Sequence, residues 1–120
     1  MARYVDGFIV AIPTKNVEAY RKLARKAGKV WMEYGALEYV ECIADDVKPG
    51  KLTSFPQSVK QKADETVAFS WITYKSRKHR DTINKKVMAD PRLEAMMDMK
   101  NLPFDGKRMI FGGFKSIVEL

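Results

Sequence analysis

An α+β sandwich with the element order βαββαβ is what this chain predicts, and three observations predict it. Four apolar runs of strand character are punctuated by proline and glycine. Between the first two lies an apolar stripe at 3-4-3-4-3 spacing, the period of a helix packed along one side. A second helical stretch separates the last two. Two strand–helix–strand halves in 120 residues favour two helices on one face of a four-stranded antiparallel sheet.

Strand one is expected from about Arg3 to Ile12, where Pro13 ends it. Helix one starts near Thr14 or Asn16, either of which can cap it. Its stripe is Val17, Tyr20, Ala24, Ala27, Trp31 and Tyr34, widened by Leu23 and Val30, and Gly35 is placed to stop it. Strand two follows over about Ala36–Ala44, then a long connection from Asp45 to Asp64 that contains Pro49-Gly50 and Pro56. A connection of that length tends to have a job, such as wrapping a partner subunit, unless its ends simply extend the hairpin. Strand three is Glu65 to Lys75, and helix two starts near Ser76 with Ile83 and Val87 inward. Asp90 as N-cap with Pro91 behind it opens a short helix holding Leu93, Met96 and Met97. Asp105-Gly106 marks a turn before strand four, Arg108 to Val118.

In the usual strand order of this ferredoxin-like topology, strands one and three are central, and here they are the two most apolar. Tyr4 to Ile12 and Thr66 to Tyr74 are greasy on both faces. A sheet with helices on one side normally leaves its other face polar. The second face therefore needs a cover, for which one short domain spanning 1–120 has little chain to spare. A second copy across a two-fold interface supplies it, and two facing sheets can enclose a small cavity. Gly112-Gly113 within strand four fits a close backbone approach or a bend.

With 46% hydrophobic and 31% charged residues the composition is that of a globular domain. The longest apolar run, Gly7 to Pro13, is far short of the roughly 20 residues a membrane span needs. Asp6 interrupts any secretory signal pattern, so a cytoplasmic location is expected. One cysteine, Cys42, and one histidine, His79, leave no disulfide and no ordinary zinc site; no metal and no cofactor are expected. Cys42 has no activating motif around it and reads as packing. The net charge is +7, gathered on the helices: Lys15–Lys29 and Lys75–Lys86 each hold six basic residues against one acidic. That pattern suits solvated helix faces.

Alternation places Tyr4, Asp6, Phe8, Val10 and Ile12 on one face of strand one and the smaller Val5, Gly7, Ile9 and Ala11 on the other. The smaller set suits helix contact, which turns Asp6 toward the covered second face. In strand two, Tyr39 and Glu41 share a face and are the natural counterparts, although Glu38 argues for the opposite assignment. A buried carboxylate is costly unless paired or protonated, so Asp6 and Glu41 are the catalytic candidates. With strand three between them they stand roughly 9–10 Å apart, too far to share a proton but suited to a small ligand lying between. Ser70, Trp71 and Tyr74 complete the expected ligand-binding set with Tyr39. His79, in the first turn of helix two, is a third catalytic candidate as a neutral base at a cavity mouth. Nucleotide-loop, nucleophile-elbow and zinc-protease motifs are absent from the sequence.

Several of these residues also form a familiar set. Tyr4-Val5-Asp6-Gly7-Phe8, Gly35-Ala36-Leu37-Glu38-Tyr39-Val40-Glu41-Cys42 and Phe69-Ser70-Trp71-Ile72 resemble the bacterial YbaA-like family of unknown function. His79-Arg80-Asp81, Val87-Met88-Ala89-Asp90-Pro91-Arg92 and Phe104-Asp105-Gly106-Lys107-Arg108-Met109 extend the resemblance over nearly the whole chain. The resemblance implies the dimeric α/β-barrel superfamily, whose members include small monooxygenases, isomerases and decarboxylases, and carries over no reaction. The leading expectation is a homodimer whose inter-sheet cavity binds, or binds and transforms, a small organic molecule. RNA binding is the alternative, since βαββαβ is also the order of the RNA-recognition motif. That motif's strand-three signature fits only Ala68 and Phe69, and the charge sits on the helices, so nucleic acid is the less favoured partner. A non-catalytic protein-interaction module is the third reading.

Overall fold

The computed structural model describes residues 2–98 and 101–120. In chain order the elements are β1 (Tyr4–Pro13), α1 (Val17–Glu33), β2 (Glu38–Ile43), α2 (Phe55–Ser58), β3 (Glu65–Tyr74), α3 (Arg77–Met88), α4 (Pro91–Met96) and β4 (Ile110–Lys115). The sheet order is β2-β3-β1-β4, every neighbouring pair antiparallel, so β1 and β3 are indeed central. This is the ferredoxin-like α+β architecture that the sequence predicts.

Local chemistry sets the boundaries. Pro13 closes β1, and a 3-10 turn over Thr14–Asn16 leads into α1. Gly35, at φ 108°, takes the left-handed conformation that ends α1. Ser76 and Asp90 accept backbone N–H groups from His79 and Arg92, capping α3 and α4. Within the 45–64 connection Ser54 caps α2 in the same way.

Register decides the faces. Asp6 opposes Ile72 and Gly113, Phe8 opposes Ser70 and Phe111, and Tyr39 and Glu41 oppose Ile72 and Ser70. These side chains share the face that the helices cover: Tyr4, Ile72 and Tyr74 pack with Val30, Ile83, Val87 and Leu93, and Val10, Ile12 and Ala68 pack with Tyr20 and Ala24. The expected assignment is thus reversed. The bulky set of β1 meets the helices, and the small set faces outward. The large side chains of β1 reach the apolar stripes of the helices, and the small set lets the Phe114 ring lie over Gly7 on the outside.

On the outer face the 45–64 connection folds back over one end. Val59, only 1% exposed, seals Ala11 and Val67, and Phe55 meets Phe69 edge-on at 5.9 Å. The chain therefore covers part of this face itself, contrary to expectation. The remainder stays open: Phe69, Ile110 and Phe114 are exposed, the Phe114 ring lying over Gly7 and Gly112.

Candidate functional site

A cavity of about 390 Å³ lies between the sheet and the helices. Apolar groups line most of it, with Leu23, Trp31, Met88, Met96 and Met109 on the helix and linker side and Phe8 and Phe111 on the sheet. Two polar clusters border it, one on β1 and one on β2, and Ser70 of β3, opposite Glu41, borders it too.

The β1 cluster is built on Asp6, 7% exposed. Tyr74 donates to Asp6 Oδ2 at 3.0 Å, and Asn84 Nδ2 approaches the same oxygen at 3.4 Å. Arg80 Nε lies 3.6 Å from Asp6 Oδ1, and Arg80 Nη2 donates to the Tyr4 hydroxyl at 3.0 Å. Arg80 and Asn84 meet the strand together because they are four residues apart on α3. Asn84 Oδ1 also accepts from Trp31 Nε1 at 3.0 Å, tying α1 to α3 over the carboxylate. Burial and the neighbouring Asp6 charge raise the Tyr74 phenol well above its ordinary range, which keeps it a donor. The expectation of a close approach in strand four is met at Gly113, where a Cβ would fall 2.5 Å from the Tyr4 hydroxyl.

The β2 cluster is built on Glu41. Tyr20 of α1 donates to Oε2 at 2.6 Å, and Tyr39 donates to Oε1 at 3.2 Å. Burial raises the Glu41 carboxyl above its usual range, and the hydrogen bonds from Tyr20, Tyr39 and Ser70 offset only part of that shift. Both phenols are pushed far up, first by burial and then by the adjacent Glu41 charge, so they donate at any physiological pH. Here too a glycine makes room: a Cβ on Gly28 would sit 2.6 Å from the Tyr39 ring. The arrangement holds a carboxyl group poised to exchange a proton at the edge of an apolar cavity.

Of the residues expected from sequence, the structure brings Asp6, Glu41, Tyr39, Ser70 and Tyr74 to one face, but to the helix side of the sheet. The sheet–sheet placement of Asp6 and Glu41 is therefore corrected. Trp71 points to the opposite face, where its Nε1 donates to Glu38 at 2.8 Å and its ring meets Phe69. His79 stands apart from both carboxylates. At the start of α3 its Nδ1 accepts the Lys75 backbone N–H at 3.0 Å and its ring meets Tyr74 edge-on. Cys42 is exposed on the outer face rather than packed inside. Sequence reasoning missed Tyr4, Tyr20, Arg80 and Asn84. The i,i+4 pairing of Arg80 with Asn84 was the available signal; Tyr20 was hidden within an ordinary core stripe. Among the described residues no cluster of His, Cys, Asp and Glu could hold a metal ion, and no helix is long and apolar enough to cross a membrane.

The chain is 50% identical over 117 residues to an uncharacterized protein, YbaA, of Escherichia coli strain K12, covering 98% of each chain. The same identity and coverage hold for the YbaA of Shigella flexneri. Among solved structures, a NIPSNAP family protein of unknown function from Agrobacterium tumefaciens superposes with a TM-score of 0.59 at 12% identity, covering 95% of this chain and 87% of that one. A putative antibiotic biosynthesis monooxygenase from Nitrosomonas europaea gives 0.57 at 12% identity, over 96% and 90% of the two chains. A dimeric ferredoxin-like protein from an uncultured marine organism gives 0.57 at 11% identity over the whole of both. Those three likenesses carry the fold alone. A family model described as protein of unknown function (DUF1428) matches residues 3–106, and the chain belongs to that family.

Proposed function

We propose that this protein is a homodimer that binds a small, mainly apolar molecule in the cavity between its sheet and helices and offers it Glu41 as a proton acceptor. One observation carries the reading: a carboxyl group with both oxygens held by phenol donors borders a ligand-sized cavity lined mostly by apolar groups. Arg80 offsets the Asp6 charge and its buried Nε is a donor without a hydrogen-bond partner among the described residues, which leaves Glu41 as the carboxyl group open to a donor on the ligand. The ligand that fits carries an O–H or N–H donor on an apolar body. 1-Naphthol is a suitable probe and 1-methoxynaphthalene its matched control without a donor. Titration calorimetry is expected to show 1-naphthol binding more tightly than the ether, and Glu41→Ala lowering the naphthol affinity about tenfold, the equivalent of one hydrogen bond to a charged group. Equal affinity of naphthol for wild type and Glu41→Ala would remove Glu41 from the site.

The open part of the outer face supports the dimer. Phe69, Ile110 and Phe114 form an exposed apolar patch on both central and edge strands, and one fold neighbour is a dimeric protein. In a two-fold interface each patch meets its own copy. Phe114→Glu removes about 2 kcal/mol of burial per copy and is expected to weaken association roughly a thousandfold. Analytical ultracentrifugation over a dilution series reads this directly. A monomeric wild type would end the proposal.

A further inference from the structure

Among the described residues the β2 edge of the sheet is unpaired, and α1 runs alongside it. Between them lies a groove of about 860 Å³ with Arg21, Arg25 and Lys29 along one wall and Tyr39, Glu41 and Ile43 along the other. The bond from Ala44 N–H to Val67 C=O fixes the alternation of the β2–β3 ladder. By that alternation Tyr39, Glu41 and Ile43 direct their backbone N–H and C=O groups away from β3 into the groove. An edge of this kind is a template for a further strand.

The two walls share a repeat. Cations four residues apart on a helix recur about every 6 Å. Side chains on one face of a strand recur about every 6.7 Å. Three alternate residues of an added strand would therefore lie successively beside Lys29, Arg25 and Arg21. The charge in this groove is mainly positive; Glu33 is engaged by Arg92 at 2.7 Å, Arg21 meets Glu18 at 3.3 Å, and Glu41 lies midway along the β2 wall.

We propose that the groove between α1 and β2 receives an extended acidic segment of a protein partner, added antiparallel to the β2 edge with its acidic side chains beside Arg21 and Lys29. Glu41 selects against an acid at the central position. A peptide can place a neutral residue there, whereas a nucleic-acid backbone presents a charge at every step. The surface is separate from the outer-face patch, and Tyr20, Ala24, Tyr39 and Glu41 border both it and the cavity.

The probe is the fluorescein-labelled, acetylated heptapeptide VEVTVEV, followed by anisotropy with the intact protein. Saturable binding is expected, and VKVTVKV is expected not to bind. N-methylation of the two glutamates, whose amides would face β2, abolishes binding, while N-methylation of the flanking valines leaves it intact. Arg25→Glu combined with Lys29→Glu, both exposed positions, weakens binding at least tenfold with an unchanged thermal melt. No saturable binding, equal binding of the two methylated peptides, binding unmoved by the double reversal, or displacement of the peptide by a tighter twelve-nucleotide oligouridylate would each overturn the proposal.

Discussion

Arg108→Ala is expected to destabilise the fold by about 3–5 kcal/mol, the scale set by removing one partner of a buried ion pair. Glu65 has 3% of its side chain exposed and takes two bonds of 2.7 Å from the Arg108 guanidinium. The same guanidinium reaches the Lys60 carbonyl at 2.9 Å and Asp105 at 3.1 Å, so it joins the start of β3, the 45–64 connection and the approach to β4. Arg108 holds the Glu65 carboxyl down to about 2. A depressed folded value means that this stabilisation is present above the ordinary carboxylate range and is lost as pH falls toward 2. The variant reverses the trend, since an unpaired buried Glu65 favours its protonated form. The gap between wild type and Arg108→Ala should therefore widen from pH 3 to pH 7 in urea denaturation. A constant gap would mean that Glu65 is not the group left stranded.

Asp6→Ala has the next largest expected cost, about 2–3 kcal/mol. It takes the charged acceptor from Tyr74 and Asn84 and the nearest buried counter-charge from Arg80, all on the helix side of the sheet. Asp6→Asn keeps an acceptor for Tyr74 and should recover roughly half of the loss. Melting temperatures of the two variants test the order, and an Asp6→Asn protein as unstable as Asp6→Ala would show that charge, not hydrogen bonding, holds the cluster. Because Asp6 and Glu41 sit two strands apart, neither Asp6 variant is expected to alter the pull of Tyr20 and Tyr39 on Glu41.

Element order was legible because local chemistry and tertiary packing agree along most of this chain. Pro13, Gly35, Ser76 and Asp90-Pro91 mark ends that the backbone obeys, and the α1 stripe buries as its period requires. The choice of face was not legible. Period-two patterning tells which residues share a face, but when both faces are apolar it cannot say which one the helices take. The small set of β1 suited helix contact by size, whereas the large set in fact packs there, with Asp6 tolerated because α3 brings Arg80 and Asn84 to it. That partnership depends on where α3 crosses the sheet, a long-range fact. Trp71 was misplaced for a related reason: Ser70 and Trp71 are adjacent in sequence and therefore on opposite sides of the strand.

That same opposition gives the molecule two optical reporters. Trp31 borders the cavity and bonds Asn84, while Trp71 lies among Phe69 and Glu38 on the outer surface of the sheet. The sequence holds only these two indoles. Retaining one and replacing the other with phenylalanine makes emission a selective signal: Trp31 for events between sheet and helices, Trp71 for association through the opposite face. The proposed ligand entry and the proposed subunit pairing would thus be timed separately in one protein without an attached dye.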